Sequence, residues 1–162
     1  YYAGPMFRYE RPQEGRQRQF HQLGMELLGV DSPQADAEAI LLALGLLEAL
    51  GVEGIVLELN NVGTAESREA FKAGLRALLE PFLPQLCEDC RRRYRSNPLR
   101  MLDCKVDACK AVYAGPAVEA FLRGYAWDEP SRTAFAETLA ILDALGVAYR
   151  LNPRLVRGLD YY

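Results

Sequence analysis

No apolar run in this 162-residue sequence approaches the roughly 20 residues that a membrane-spanning helix needs. A membrane partner is therefore not expected. Charge of one sign is also scarce. The formal net charge is −3, which excludes a chain that is basic throughout and leaves any nucleic-acid contact to a local patch. No internal repeat or low-complexity tract is read in the sequence, and a signal peptide is not expected. The chain opens on Tyr1-Tyr2 and closes on Asp160-Tyr161-Tyr162 without an initiator Met, so both ends read as cuts in something longer. Cysteine is confined to four residues within 87–109. A small secreted domain would spread them as staples, so a reducing, cytoplasmic setting is expected. What is plentiful is apolar surface: half of the residues are hydrophobic, enough for one core, or a core plus a small insertion.

Residues 3–10 and 18–28 both read as strands, separated by a loop that contains Pro12 and Gly15. The unit is a strand, a polar loop and a returning strand, antiparallel by expectation. Asp31-Ser32-Pro33 opens a helix that runs to about Leu50 and stops at Gly51. The apolar run 55–59 reads as a short strand ended by Asn60-Asn61. A second helix fits Glu66 to Phe82, ended by Pro84. Residues 84–113 read as irregular. Helices follow over 116–124 and 130–145, then strands from Val147 to Leu151 and from Leu159. Mixed strand patterns among helices point to an α+β domain.

Strand side chains alternate between faces. On the returning strand, Arg18, Phe20, Gln22 and Glu26 share one face with Gly24, while His21, Leu23, Met25 and Leu27 form an apolar face on which the single histidine is expected to pack. On the outgoing strand Arg8 and Glu10 oppose Phe7 and Tyr9. Pairing the strands can bring both polar faces to one side of the sheet. Such a surface suits a nucleotide and a small zwitterion. Arg8 offers a planar fork for phosphate or carboxylate, Phe20 a ring to stack on a base, and Glu26 an acceptor for a cationic or N–H-bearing ligand. Patterning alone leaves a second reading open, a solvated hairpin with its charges outward.

The run 4–22, GPMFRYERPQEGRQRQFHQ, resembles motif 2 of class II aminoacyl-tRNA synthetases in the form found in histidyl-tRNA synthetases. Residues 155–162, LVRGLDYY, resemble the histidine-specific motif of the same family, about 130 residues further on. The resemblance implies roles. Arg8 binds the ATP α-phosphate and the amino-acid carboxylate. Glu10 lies near the adenine edge, Arg16 reaches toward the γ-phosphate and Phe20 stacks on adenine. Gln22 and Glu26 hold the α-amino group and the imidazole of histidine. Arg157 contacts the α-phosphate and the amino acid, and Tyr161 and Tyr162 complete the histidine pocket. Arg8 and Arg157 are the implied catalytic pair. Arg157 and Tyr162 have opposite strand parity, which a break at Gly158 would reconcile.

The resemblance also implies an architecture: an antiparallel class II sheet flanked by helices, with a mostly helical insertion. Residues 1–62 and 147–162 would belong to the catalytic core, and 63–146 to an insertion directed at the tRNA acceptor arm. Motif 1 would precede the chain, and motif 3 and an anticodon-binding domain would follow it. The implied activity is ATP-dependent activation of L-histidine and its transfer to tRNA(His), with Mg²⁺, by a homodimer. Two relatives of the same fold remain as alternatives: a catalytically silent paralogue such as the regulatory subunit of ATP phosphoribosyltransferase, and a tRNA-sensing domain attached to a kinase. Both types erode the ATP- and histidine-contacting residues that this chain keeps.

Residues 91–110 carry a net charge of +5, against −8 for the rest of the chain. The patch can steer phosphates or simply be a solvated basic turn. The same region holds Cys87 and Cys90 as C-x₂-C, and Cys104 and Cys109 as C-x₄-C. Four thiols at this spacing are a candidate structural zinc site, although the second pair departs from the usual ribbon spacing; reduced, packed thiols are the alternative.

Overall fold

The computed structural model describes residues 1–9, 12 and 14–156. The chain divides into two compact units, residues 1–53 and 54–162.

The first unit opens with the expected hairpin. Strand β1 (Tyr2–Phe7) pairs antiparallel with β2 (Gln19–Gly24), in a register that sets Met6 opposite Phe20 and Gly4 opposite Gln22. Strand β2 is shorter than its expected span of 18–28, because the ladder stops at Gly24 and Met25 to Leu28 continue outside any strand. Gly24 is demanded by its partner. A Cβ there would lie 2.2 Å from the Tyr2 ring, which covers the glycine from the opposite strand. The expected core face is not a core: Leu23 is 51% exposed and His21 is exposed rather than packed. A two-stranded sheet cannot enclose a face by itself. Helix α1 (Pro33–Ala49) begins as its sequence dictates, with the Ser32 hydroxyl accepting from the Ala35 N–H and Pro33 in the first turn. It ends at Gly51, whose φ of +70° favours glycine.

The second unit is mostly helical. Strand β3 (Glu58–Leu59) is only two residues long and pairs in parallel with β4 (Arg150–Leu151). The longer runs 55–59 and 147–151 therefore contribute one short bridge, not full strands. Helix α2 (Ala65–Leu79) buries Phe71, Leu75 and Leu79, one per turn on a single face. It passes into a 3₁₀ turn over Glu80–Gln85 that accommodates Pro84. The stretch read as irregular is ordered into α3 (Glu88–Ser96), a 3₁₀ turn at Pro98–Met101 and α4 (Asp107–Tyr113). Helices α5 (Pro116–Gly124) and α6 (Glu129–Ala144) fall where the sequence places them.

One apolar cluster joins α2, α3, α4 and α5, running from Phe71, Leu75 and Leu79 through Cys90, Leu99, Met101 and Tyr113 to Val118, Leu122 and Val156. The Phe71 ring stacks on Trp127 with centroids 4.9 Å apart and meets Tyr125 edge-on at 4.7 Å. Asp128 ties two helix starts together. Its carboxylate accepts from the Ser131 N–H to cap α6 and from the Thr64 N–H, while the Thr64 hydroxyl caps α2. Those N–H donors, Thr64 first, hold the Asp128 carboxyl well below the usual range. No helix among the described residues is long and apolar enough to cross a membrane.

Candidate functional site

Register decides which hairpin side chains meet. The Arg8 N–H bonds to the Arg18 carbonyl at 2.8 Å, continuing the β1–β2 pairing past Phe7. Arg8 therefore falls on the face that carries Phe20 and Gln22. Its guanidinium lies 4.3 Å from the centre of the Phe20 ring and donates through Nε to the Gln17 carbonyl at 2.8 Å. Ring and carbonyl together orient the Arg8 guanidinium. Gln22 is held in the same way, its amide donating to the Tyr2 hydroxyl at 2.9 Å. Tyr2 and Gln17 were not singled out by the motif. Tyr2 carries a signal, because an aromatic directly opposite a strand glycine is a common packing pair. The Gln17 contribution is a backbone carbonyl and leaves no trace in residue identity.

Arg16 and Arg18 are exposed on the loop side of this face, and Gly15 turns the loop with φ +71°. Glu26 is exposed two residues past the end of β2, so strand alternation does not fix its direction. Glu10, Arg157, Tyr161 and Tyr162 lie outside the described residues. The chain leading toward Arg157 is anchored from β3: the Asn60 amide donates to the Leu155 carbonyl at 3.1 Å, and Val156 is buried. Asn61 makes the companion bond to the Ser131 carbonyl at 2.8 Å. The Asn60-Asn61 break thus stitches three segments together, which its reading as a strand terminator did not foresee.

The basic cluster is partly spent on structure. Arg92 pairs with Asp89 at 2.5 Å, Lys110 pairs with Asp107 at 3.0 Å, and Arg93 donates to the Arg100 carbonyl. Arg91, Arg95, Arg100 and Lys105 are exposed. The four cysteines converge from the Cys87 cap of α3, the body of α3, the turn after Met101 and α4, and their sulfurs all lie within 4.8 Å of one another. None is in a disulfide. The Cys90 N–H holds the Cys87 thiol down to about 7, whereas burial pushes the Cys90 and Cys109 thiols up.

Residues 1–81 match the family model for histidyl-tRNA synthetase. Along its whole length the chain is 52% identical to a histidine–tRNA ligase of Synechococcus sp. strain WH7803, covering 36% of that protein. It is 54% identical to one from Acidovorax ebreus strain TPSY, covering 37%. The crystal structure of apo S. aureus histidyl-tRNA synthetase superposes with a TM-score of 0.67 at 33% identity, over 99% of this chain and 35% of that one. The chain belongs to the histidyl-tRNA synthetase family. It spans a little over a third of the length of the curated relatives it matches.

Proposed function

We propose that the chain is part of the catalytic domain of a histidine–tRNA ligase, an enzyme that activates L-histidine with ATP and transfers it to tRNA(His). The observation that carries this reading is the pre-set hairpin face, in which Arg8 rests against Phe20 and Gln22 stands further along the same side. In activation the histidine carboxylate attacks the α-phosphorus of ATP, a new phosphorus–oxygen bond forms and pyrophosphate leaves. Negative charge grows on the α-phosphoryl oxygens. Arg8, already held by the Gln17 carbonyl, stabilises that charge with little reorganisation. Arg157 is its proposed partner. Phe20 stacks on adenine, Glu10 meets its edge and Arg16 faces the γ-phosphate. Gln22, Glu26, Tyr161 and Tyr162 receive the amino group and imidazole of histidine. No side chain need act as a nucleophile; positioning and charge suffice.

Mg²⁺ enters with ATP, held mainly by phosphate oxygens and water. The charge set against Phe20 is the Arg8 guanidinium, which fits that division. The fold proposed for the whole is the class II sheet, with residues 1–62 and 147–162 in the core and 63–146 as an insertion. The exposed cations of α3 and its flanks are proposed to face tRNA phosphates. A homodimer acting in the cytoplasm completes the reading. Histidine-dependent exchange of pyrophosphate into ATP, measured on the full-length protein, tests it. Exchange with histidine alone among amino acids is the expected result. A silent paralogue of the regulatory-subunit type would give none.

A further inference from the structure

We propose that Cys87, Cys90, Cys104 and Cys109 form a tetrahedral thiolate site for one zinc ion, which ties the start of α3 to α4 and to the turn between them. The distances carry the argument. A zinc ion with zinc–sulfur bonds of about 2.3 Å sets its four sulfurs about 3.8 Å apart. Here the Cys87 and Cys104 sulfurs are 3.9 Å apart, and no pair exceeds 4.8 Å. The widest pair needs to close by only about 1 Å to meet that geometry. Four thiols drawn from three separate pieces of chain seldom converge by packing alone. Small buried thiols behave as hydrophobes and have no reason to seek one another.

The surroundings suit thiolates. The Cys87 N–H points at the Cys109 sulfur at 3.2 Å, the kind of second contact that orients a metal-bound sulfur. Tyr113 is buried beside Cys90, and its hydroxyl has no hydrogen bond of good geometry. A metal-bound Cys90 sulfur would give that donor an acceptor. Four thiolates around Zn²⁺ leave a net of −2, in a region whose residues 91–110 carry a net charge of +5. Cys90 and Cys109 are fully buried while Cys87 is half-buried, which leaves a way in on the Cys87 side. The site would brace the helix that presents Arg91 and Arg95, at a distance in sequence from the hairpin. It therefore stands or falls independently of the reaction proposed above.

The test uses the full-length protein purified under reducing conditions without chelator. Elemental analysis is expected to find one zinc per chain, with the thiols unreactive toward a thiol reagent until a chelator is added. Exchange with Co²⁺ is expected to give an intense sulfur-to-metal charge-transfer band and the strong visible bands of tetrahedral coordination. Cys87 stands at the N-cap position of α3 without a side-chain cap bond, and serine is a favoured residue there, so the fold of Cys87→Ser should survive. Its affinity for Co²⁺ should fall at least tenfold, and its charge-transfer band should weaken. Folded wild-type protein without metal and with all four thiols reactive would overturn the proposal. So would a mass lower by two hydrogens per cysteine pair, which means disulfides, or a Cys87→Ser variant that binds Co²⁺ as tightly as wild type.

Discussion

Arg8→Ala in the full-length protein separates what Arg8 does for the hairpin from what it does for the reaction. In the structure Arg8 makes one charged hydrogen bond, to the Gln17 carbonyl at 2.8 Å, and one cation–π contact, 4.3 Å from the Phe20 centroid. The first is worth ~1.5–3 kcal/mol and the second, at a partly exposed site, ~0.5–1 kcal/mol. Both act on hairpin order and should appear mainly as a weaker KM for ATP. The transition-state share is different. Losing a fixed cation at the growing α-phosphoryl charge costs on the order of 3 kcal/mol, a fall in kcat of about a hundredfold. Arg8→Lys retains the charge but loses the fork and its anchor on Gln17, so its rate is expected between the two. Phe20→Leu removes the ring but leaves the fork, and should raise KM for ATP more than it lowers kcat. The assay is histidine-dependent pyrophosphate exchange across a range of ATP concentrations. An Arg8→Ala enzyme within threefold of wild type in kcat would refute the electrostatic role, whatever happened to KM.

Glu26→Gln is expected to weaken histidine binding while leaving ATP binding largely intact, measured by separate KM values in the exchange assay; a collapse of ATP affinity would move Glu26 into the nucleotide site. Asp128→Ala removes the link between the starts of α2 and α6. Because the folded-state pKa of Asp128 is depressed, its contribution is present above the ordinary carboxyl range and fades as pH falls toward strong acid. The variant should melt below wild type at pH 7, and the gap should close in acid; a gap of equal size in acid would show that the charge is irrelevant. The 162-residue chain alone, a little over a third of its relatives, is expected to support neither exchange nor tRNA charging, and turnover within tenfold of a full-length relative would contradict this.

The hairpin was legible because alternation needs only residue type, and the register then confirmed that Arg8, Phe20 and Gln22 share a side. Helix α1 was legible from its Ser32 cap and α2 from its run up to Pro84; the Thr64 hydroxyl, which bonds the Ser67 N–H as Ser32 bonds that of Ala35, is a cap that reading did not name. The helices within 84–113 were not. α3 and α4 are nine and seven residues long, too short to show a period, and they lie among prolines and a dense run of arginines. Tertiary contacts hold them: Cys90 and Cys109 are buried at the cysteine cluster, and the Arg76 guanidinium bonds the Tyr94 carbonyl at 3.0 Å. The strands β3 and β4 were overestimated because an apolar run gives no measure of how many of its residues find a partner. Convergence of the four cysteines was only half visible. Spacing marks the pairs, but that they meet depends on how α3 and α4 pack.

The central claim is that one face of the β1–β2 hairpin receives the activated amino acid. A crystal structure of the full-length protein with a non-hydrolysable histidyl-adenylate analogue tests it most directly. Adenine stacked on Phe20, the phosphate-mimicking group on Arg8 and the imidazole near Glu26 are the expected result. An analogue bound elsewhere, for example in the cavity of about 400 Å³ bordered by Asn60, Trp127 and Arg132, would contradict the account.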